Sequence, residues 1–310
     1  MAPEHARRDL DVVVIGNAGV DTNVFLSRPE IDFGVEANFT ENLDCVGQAG
    51  AYAARSYAAL GFRTAFIGHV GDDWAGRMVR EAFAHDGIDT GLLGLDPAGT
   101  ARSVNLIYPD GHRKNFYDGK GHLALAVDLA ACQALMARAR LVHVHLANWT
   151  RTLLPIARNL GVTIACDLQD VVDPEDAYRA DYVRQADILF ASSVNHPDPA
   201  PLIRTLLAAG RARLVVCGMG AEGCALGTRE SIRRFPALSR PEPVVDTNGA
   251  GDSLAAGFLS SHLLRGLPLE ASILRGQLAA RHACAQRATS SNQITAHQLE
   301  ALSSHYREPQ

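Results

Sequence analysis

Residues 49–87 read AGAYAARSYAALGFRTAFIGHVGDDWAGRMVREAFAHDG, and within them the hydrophobic period changes from helical to extended and back. Small apolar residues recur at helical spacing over 49–61. TAFIGHV (64–70) is a near-continuous apolar run of strand length, and WAGRMVREAFAHDG (74–87) returns to the helical period. A strand apolar on both faces and flanked by helices is the pattern of a βαβ unit on a parallel sheet. The rhythm extends upstream to DVVVIG (11–16). Downstream it continues through RLVHVHL (140–146), LLPIARNLG (153–161), VTIACDL (162–168), DILFASS (187–193), PLIRTLLAAG (201–210) and RLVVCGM (213–219). The expectation is one α/β domain over 1–310, a doubly wound and mainly parallel sheet with a Rossmann-like core.

Two segments break the rhythm: a polar, Asn-rich stretch from about 21 to 44, and SVNLIYPDGHRKNFY (103–117), where a DG turn joins two strand-like runs. Neither suits a buried parallel sheet. They predict a small β-sheet lid, built from insertions at about 18–46 and 100–120 and lying over one end of the main sheet.

Composition narrows the function. With 310 residues, 47% of them apolar, the chain can bury a sizeable core, and a net charge of −5 without a Lys/Arg run argues against nucleic acid as a partner. Six cysteines (Cys45, Cys132, Cys166, Cys217, Cys224, Cys284) form no CxxC pair, which predicts neither a zinc ribbon nor a disulfide framework but buried thiols in a reducing cytoplasm. The N-terminal MAPEHARRDLDVVV has no signal-peptide h-region, and no apolar run reaches the roughly 18 residues of a membrane span.

The chemistry concentrates in PVVDTNGAGDSLAAGFLSSHLL (243–264), a strand-like start, a Gly-rich turn and an amphipathic helix beginning near Gly249. A helix N-terminus presents unpaired N–H groups, here those of Gly249, Ala250 and Gly251, with the positive end of the macrodipole behind them, and so receives an anion. Small residues let the backbone approach a phosphate, and Asp252 at the same entrance can act as a base. Phosphoryl transfer requires that combination.

DTNGAGDSLAAGFL resembles the C-terminal signature of the ribokinase-like (PfkB) carbohydrate kinases. LGFRTAFIGHVGDDWAGRMV (60–79) resembles their N-terminal signature, and VVVIGNAGVD (12–21) their opening strand. DGHRK (110–114), IACDLQD (164–170), ADILFAS (186–192) and VVCGMGAEG (215–223) follow in family order, so the resemblance covers about residues 11–290. It implies Asp252 as general base with Gly249, Ala250 and Gly251 as anion hole, Asp21 holding acceptor hydroxyls, and Asp246 and Asn248 organising a cation and the nucleotide. Ser192, Gly218, Gly220 and Gly223 would line the nucleotide cleft. It further implies ATP, Mg²⁺ bound mostly through ATP oxygens, room for a monovalent cation, and a homodimer through the lids.

Three positions depart from the family. Its GGxxxN substrate motif appears as Gly47, Gln48, Ala49, Gly50, Ala51 and Tyr52, so an amide that holds a sugar hydroxyl is replaced by an aromatic ring, which suits a larger or flatter acceptor; the alternative is a local slip in register that leaves Tyr52 as helix packing. Its NxxE motif appears with Ser192 and Asn195 at the aligned ends, which removes a carboxylate that handles Mg²⁺ unless Asp170 or Asp198 replaces it. Gly218 stands where many members carry Thr.

Other motifs carry less. Gly218, Gly220 and Gly223 spell GxGxxG, yet CALGTRESIRRFP follows rather than a helix, and Glu242 lies between two prolines. His143 and His145 share one face of a strand and read as packed or hydrogen-bonded, with Asn148 just beyond a better substrate contact. The only lysines, Lys114 and Lys120, lie outside any GxxxxGK[ST], so phosphate charge falls to backbone N–H groups, Mg²⁺ and arginine, Arg113 on the lid included. The expected activity is transfer of the γ-phosphoryl group of ATP to a hydroxyl of a sugar or sugar-like molecule. A nucleoside kinase of the adenosine type and a catalytically weak ligand-binding protein on the kinase fold are the alternatives.

Overall fold

The computed structural model describes residues 8–287 and 289–306. In chain order its strands are β1 (Leu10–Ile15), β2 (Gly19–Leu26), β3 (Thr40–Gly47), β4 (Thr64–Val70), β5 (Asp89–Leu95), β6 (Ala101–Ile107), β7 (Arg113–Asp118), β8 (Ala139–His145), β9 (Thr163–Asp170), β10 (Ile188–Ser192), β11 (Leu214–Gly218), β12 (Cys224–Gly227) and β13 (Ile232–Phe235). The helices are α1 (Ala49–Ala59), α2 (Trp74–His85), α3 (Leu129–Ala137), α4 (Leu154–Asn159), α5 (Ala180–Gln185), α6 (Pro199–Ala209), α7 (Ala250–Leu259), α8 (Leu269–Cys284) and α9 (Ala296–His305).

The main sheet runs β13-β12-β11-β10-β9-β8-β1-β4-β5, parallel from β11 to β5 with the antiparallel pair β12 and β13 on one edge. The central strand β1 is buried throughout, as a strand covered on both faces must be. Its residues alternate between two cores: Val13 and Ile15 pack with α3 to α6, and Val12 and Val14 with α1, α2, α7 and α8. Helices therefore cover both faces, as the sequence rhythm predicts. From β1 the chain winds outward through β4 and β5, then restarts at β8 on the other side. That reversal opens a crevice at the carboxyl ends of β1 and β8, where open α/β sheets place their ligands.

The two interrupting segments form a separate four-stranded sheet in the order β3-β2-β6-β7. β6 and β7 are the antiparallel hairpin expected around the DG turn, closed by Tyr108 N–H to His112 O at 2.9 Å. β2 and β6 pair in parallel, which local sequence cannot announce because their partners lie 82 residues apart. A ladder of amides ties this sheet together: Asn115 donates to Asn105 at 2.7 Å, and Asn105 to Asn23 at 2.9 Å. Asn23 and Asn105 are fully buried, so each amide left unpaired would cost about 1–3 kcal/mol. The Asn-rich composition is thus interior wiring.

Candidate active site

α7 starts at the crevice, and its first turn carries Asp252. Gly249 caps the helix at φ 71°, a left-handed conformation that glycine adopts without strain. A Cβ there would also lie 2.6 Å from Cδ1 of Tyr52, so the turn and the ring fix each other. Ala250 N–H already leans on the Thr247 carbonyl at 3.3 Å, whereas Gly251 is exposed and a side chain added there would meet nothing within 4 Å. The open face for an anion is therefore over Gly251.

Opposite this turn, Asp21 on β2 is held from two sides. Tyr52 Oη donates to its Oδ2 at 2.9 Å, and Gln48 Nε2 donates to its Oδ1 at 2.8 Å and to Ser103 Oγ at 3.0 Å. Tyr52 is buried in α1, and its hydroxyl reaches Asp21. Gln48 stands at φ 75°, a conformation natural to glycine, so the side chain that replaces the family's second Gly costs about 1–3 kcal/mol of backbone strain. Gly47 leaves room for the carboxylate, since a Cβ there would sit 2.2 Å from Asp21 Cγ. Burial pushes the Asp21 carboxyl up to about 6, opposed by the Tyr52 bond and the Arg113 charge.

Asp252 is largely buried, its side chain 13% exposed, and its carboxyl is raised well above the ordinary range, first by burial and then by the neighbouring Asp167 carboxylate. Arg113, at the start of β7, opposes the shift at Asp252, Asp21 and Asp246 alike, so the charge of this exposed residue of the small sheet is felt by all three acids. His145 Nδ1 lies 3.8 Å from Asp252 Oδ1. Burial drives the His145 imidazole down to about 3, so it is neutral. The His143 and His145 rings lie 4.4 Å apart on one face of β8, tilted by 41°, and Tyr57 Oη bonds His143 Nδ1 at 3.1 Å. The strand is packed and bonded at His143 as expected, but His145 abuts the acid cluster. Sequence reasoning did not single out Asp167 and set His145 aside. The available signal was position, since both sit at the carboxyl ends of central parallel strands.

Asp246 is fully buried; its Oδ1 accepts from Asn248 N–H at 2.8 Å, and its Oδ2 has no partner among the described residues. The Asn248 amide donates to Asn23 Oδ1 at 2.9 Å and so faces the small sheet. Asn148 Nδ2 donates to the Leu123 carbonyl at 2.9 Å, pinning the loop that follows β7.

At the other end of the crevice, Ser192 ends β10, and Asn195 donates to the Val171 carbonyl at 3.3 Å. Asp198 caps α6 and pairs with Arg234 at 2.7 Å, so it is engaged elsewhere. Asp170 ends β9 in register with Ser192, exposed and with no side-chain bond among the described residues. Gly218 closes β11, and Gly220 and Gly223 make the short turn into antiparallel β12. A Cβ on Gly223 would meet Phe235 O at 2.1 Å. No helix follows this turn, which removes the dinucleotide reading.

A carboxylate at the head of a glycine-opened helix, with a second, clamped carboxylate at the same switch-point crevice, is an arrangement suited to phosphoryl transfer to a small molecule. The profile of the pfkB family of carbohydrate kinases matches residues 12–296, and the chain belongs to that family, which uses ATP. It is 34% identical over 287 residues to an acarbose 7(IV)-phosphotransferase of Actinoplanes sp., covering 92% of this chain and 95% of that one. It is 29% identical over 269 residues to a fructokinase of Klebsiella pneumoniae, covering 80% and 86%. A solved microbiome-derived acarbose kinase superposes with a TM-score of 0.86 at 31% identity, covering 95% of this chain and 99% of that one. Arabidopsis thaliana ribokinase, with a TM-score of 0.79 at 19% identity over 95% and 98% of the two chains, shares the fold. No helix among the described residues is long and apolar enough to cross a membrane.

Proposed function

We propose that this kinase transfers the γ-phosphoryl group of ATP to a hydroxyl of a saccharide larger than a single pentose, acarbose or a related oligosaccharide, with Asp252 as the base. The observation that carries the reading is the joint placement of Asp252 and the open Gly251 face on one helix turn, with the Gln48–Asp21–Tyr52 clamp beside it. Asp252 takes the proton of the attacking hydroxyl, and N–H groups at the head of α7 meet the charge on the transferring group. Burial and the neighbouring Asp167 carboxylate raise the Asp252 carboxyl above the ordinary range, which makes it a stronger base than an exposed aspartate. Asp21 accepts a further hydroxyl hydrogen bond, since an ionised carboxylate keeps acceptor capacity beyond its two donors. The small sheet acts as a lid that excludes water and carries Arg113 to the reacting end. The exposed Val104 and Phe116 on its strands are compatible with pairing between two lids in a homodimer.

Mg²⁺ would supply charge neutralisation on the phosphates. The residues fit it at the end of β9 and β10, where Asp170 offers an uncommitted carboxylate beside Ser192, and the orphaned Oδ2 of Asp246 fits a second, separate cation. Ser192, Gly218, Gly220 and Gly223 would bound the nucleotide, in a cytoplasmic enzyme. ATP consumption measured against acarbose, maltose, fructose, ribose, cytidine and adenosine tests the acceptor: turnover confined to the nucleosides overturns the saccharide reading.

Asp170→Asn should raise the KM for MgATP about tenfold, the loss of one charged contact of about 1.4 kcal/mol, and leave the acceptor KM alone. Asp198→Asn, which alters a helix cap, should leave both KM values unchanged. Equal effects of the two would remove Asp170 from metal handling.

The acceptor KM should depend on pH. Tyr52 and Gln48 both donate to Asp21, so the site is built for the ionised carboxylate. With its carboxyl near 6, Asp21 is charged at pH 7.5 and mostly neutral at pH 5. The acceptor KM should therefore climb as pH falls through 6, with the KM for ATP flat, and initial rates at saturating ATP would show it.

A further inference from the structure

We propose that His145, Asp167 and Asp252 form a binding site for one first-row transition-metal dication of the Zn²⁺ or Mn²⁺ class. One donor atom from each lies within 4.8 Å of the other two, and His145 Nδ1 is 3.8 Å from Asp252 Oδ1. With metal–ligand bonds of about 2.0–2.2 Å, neighbouring ligands of a tetrahedral ion stand about 3.4 Å apart, so the His145–Asp252 pair is already close to that spacing and the widest pair closes by at most about 1.4 Å, within reach of side-chain rotation. The donors come from three separate elements, the ends of β8 and β9 and the first turn of α7, each fixed by the main sheet or packed against it.

His145 is the independent sign of a ligand. It is 1% exposed, both ring nitrogens lack a hydrogen-bond partner among the described residues, its Nδ1 lies 3.8 Å from the Asp252 carboxylate, and a ring nitrogen lies within 4.8 Å of a carboxylate oxygen of Asp167. Buried polar atoms are rarely left unpaired. Asp167 and Asp252, two acids held close in a largely buried place, likewise favour a cation between them. An imidazole beside two carboxylates suits Zn²⁺ or Mn²⁺, whereas Mg²⁺ prefers oxygen ligands and keeps its waters. Three protein donors leave a fourth position open toward the crevice.

An ion seated here occupies the Asp252 carboxylate and withdraws it as a base. The site would then act as an inhibitory switch, with Zn²⁺ competing against the acceptor and not against ATP. That consequence rests on Asp252 being the base; binding of the ion does not.

Calorimetric titration of the full metal-free chain with Zn²⁺, without nucleotide and with Mg²⁺ run in parallel, tests the site. One saturable Zn²⁺ site per chain is expected, weakened at least about tenfold in both His145→Gln and Asp167→Asn, with no comparable Mg²⁺ uptake. Should His145→Gln fail to fold, Asp167→Asn carries the same comparison. Absence of saturable uptake, or uptake unchanged by the substitutions and thus held on other histidines, overturns the proposal. Loss of Zn²⁺ binding in the variants, with Asp252→Asn still turning over, would sustain the site and sink the base assignment instead.

Discussion

Asp252→Asn is expected to lower kcat by about 10²- to 10⁴-fold while ATP binding changes less than about twofold, the range that general-base catalysis contributes. An amide keeps the size of the side chain and the helix turn but cannot take the hydroxyl proton. It also removes one of two crowded carboxylates, so the variant should be at least as stable as the parent. Single-turnover kinetics with a saturating acceptor, alongside nucleotide titration and a thermal melt, would check all three. Turnover within tenfold of the parent would mean that another group accepts the proton.

Gly249→Ala is expected to be the most damaging of the small substitutions. Its φ of 71° makes any side chain there cost about 1–3 kcal/mol, and the added methyl falls 2.6 Å from the Tyr52 ring. Tyr52 cannot retreat without loosening its 2.9 Å bond to Asp21, so a lesion at the phosphate end reaches the acceptor end. The melting temperature should fall by about 2–6 °C and the acceptor KM should rise. Gly251→Ala, two residues beyond Gly249 in the same motif but open to space, is the control and should melt like the parent. Equal melting temperatures for the two alanine variants would show that the Gly249 turn is not under this constraint.

The fold was legible because its determinants are local and repeated. Strands such as β1 and β4 are buried on both faces and so are written as unbroken apolar runs, while α2 announces itself by its period; the structure adds Asp73, which caps it by accepting from Gly76 N–H at 2.7 Å. The phosphate end was legible for the same reason: Asp246 to Asp252 are contiguous, and the chemistry of a helix N-terminus follows from seven residues in a row.

The acceptor end was only half legible. The departures at Gln48 and Tyr52 are visible in the sequence, yet their common target is not, because Asp21 lies 27 and 31 residues away and is brought to them by β2–β3 pairing. Nor does a glutamine in a run of residues reveal that its backbone is left-handed. The choice between Asp170 and Asp198 likewise turned on partners: Asp198 is spent on a helix cap and Arg234, and Asp170 stands in register with Ser192.

By itself the sequence determined the doubly wound sheet, the two interruptions that build the small sheet, and the Asp252 carboxylate with its glycine turn, since each is encoded in period, turn chemistry or an unbroken motif. Only the tertiary structure decided which side chains face that carboxylate. Asp167, His145 and Arg113 reach Asp252 from β9, β8 and the small sheet, and their effect on it depends on distance and burial, which no spacing along the chain records.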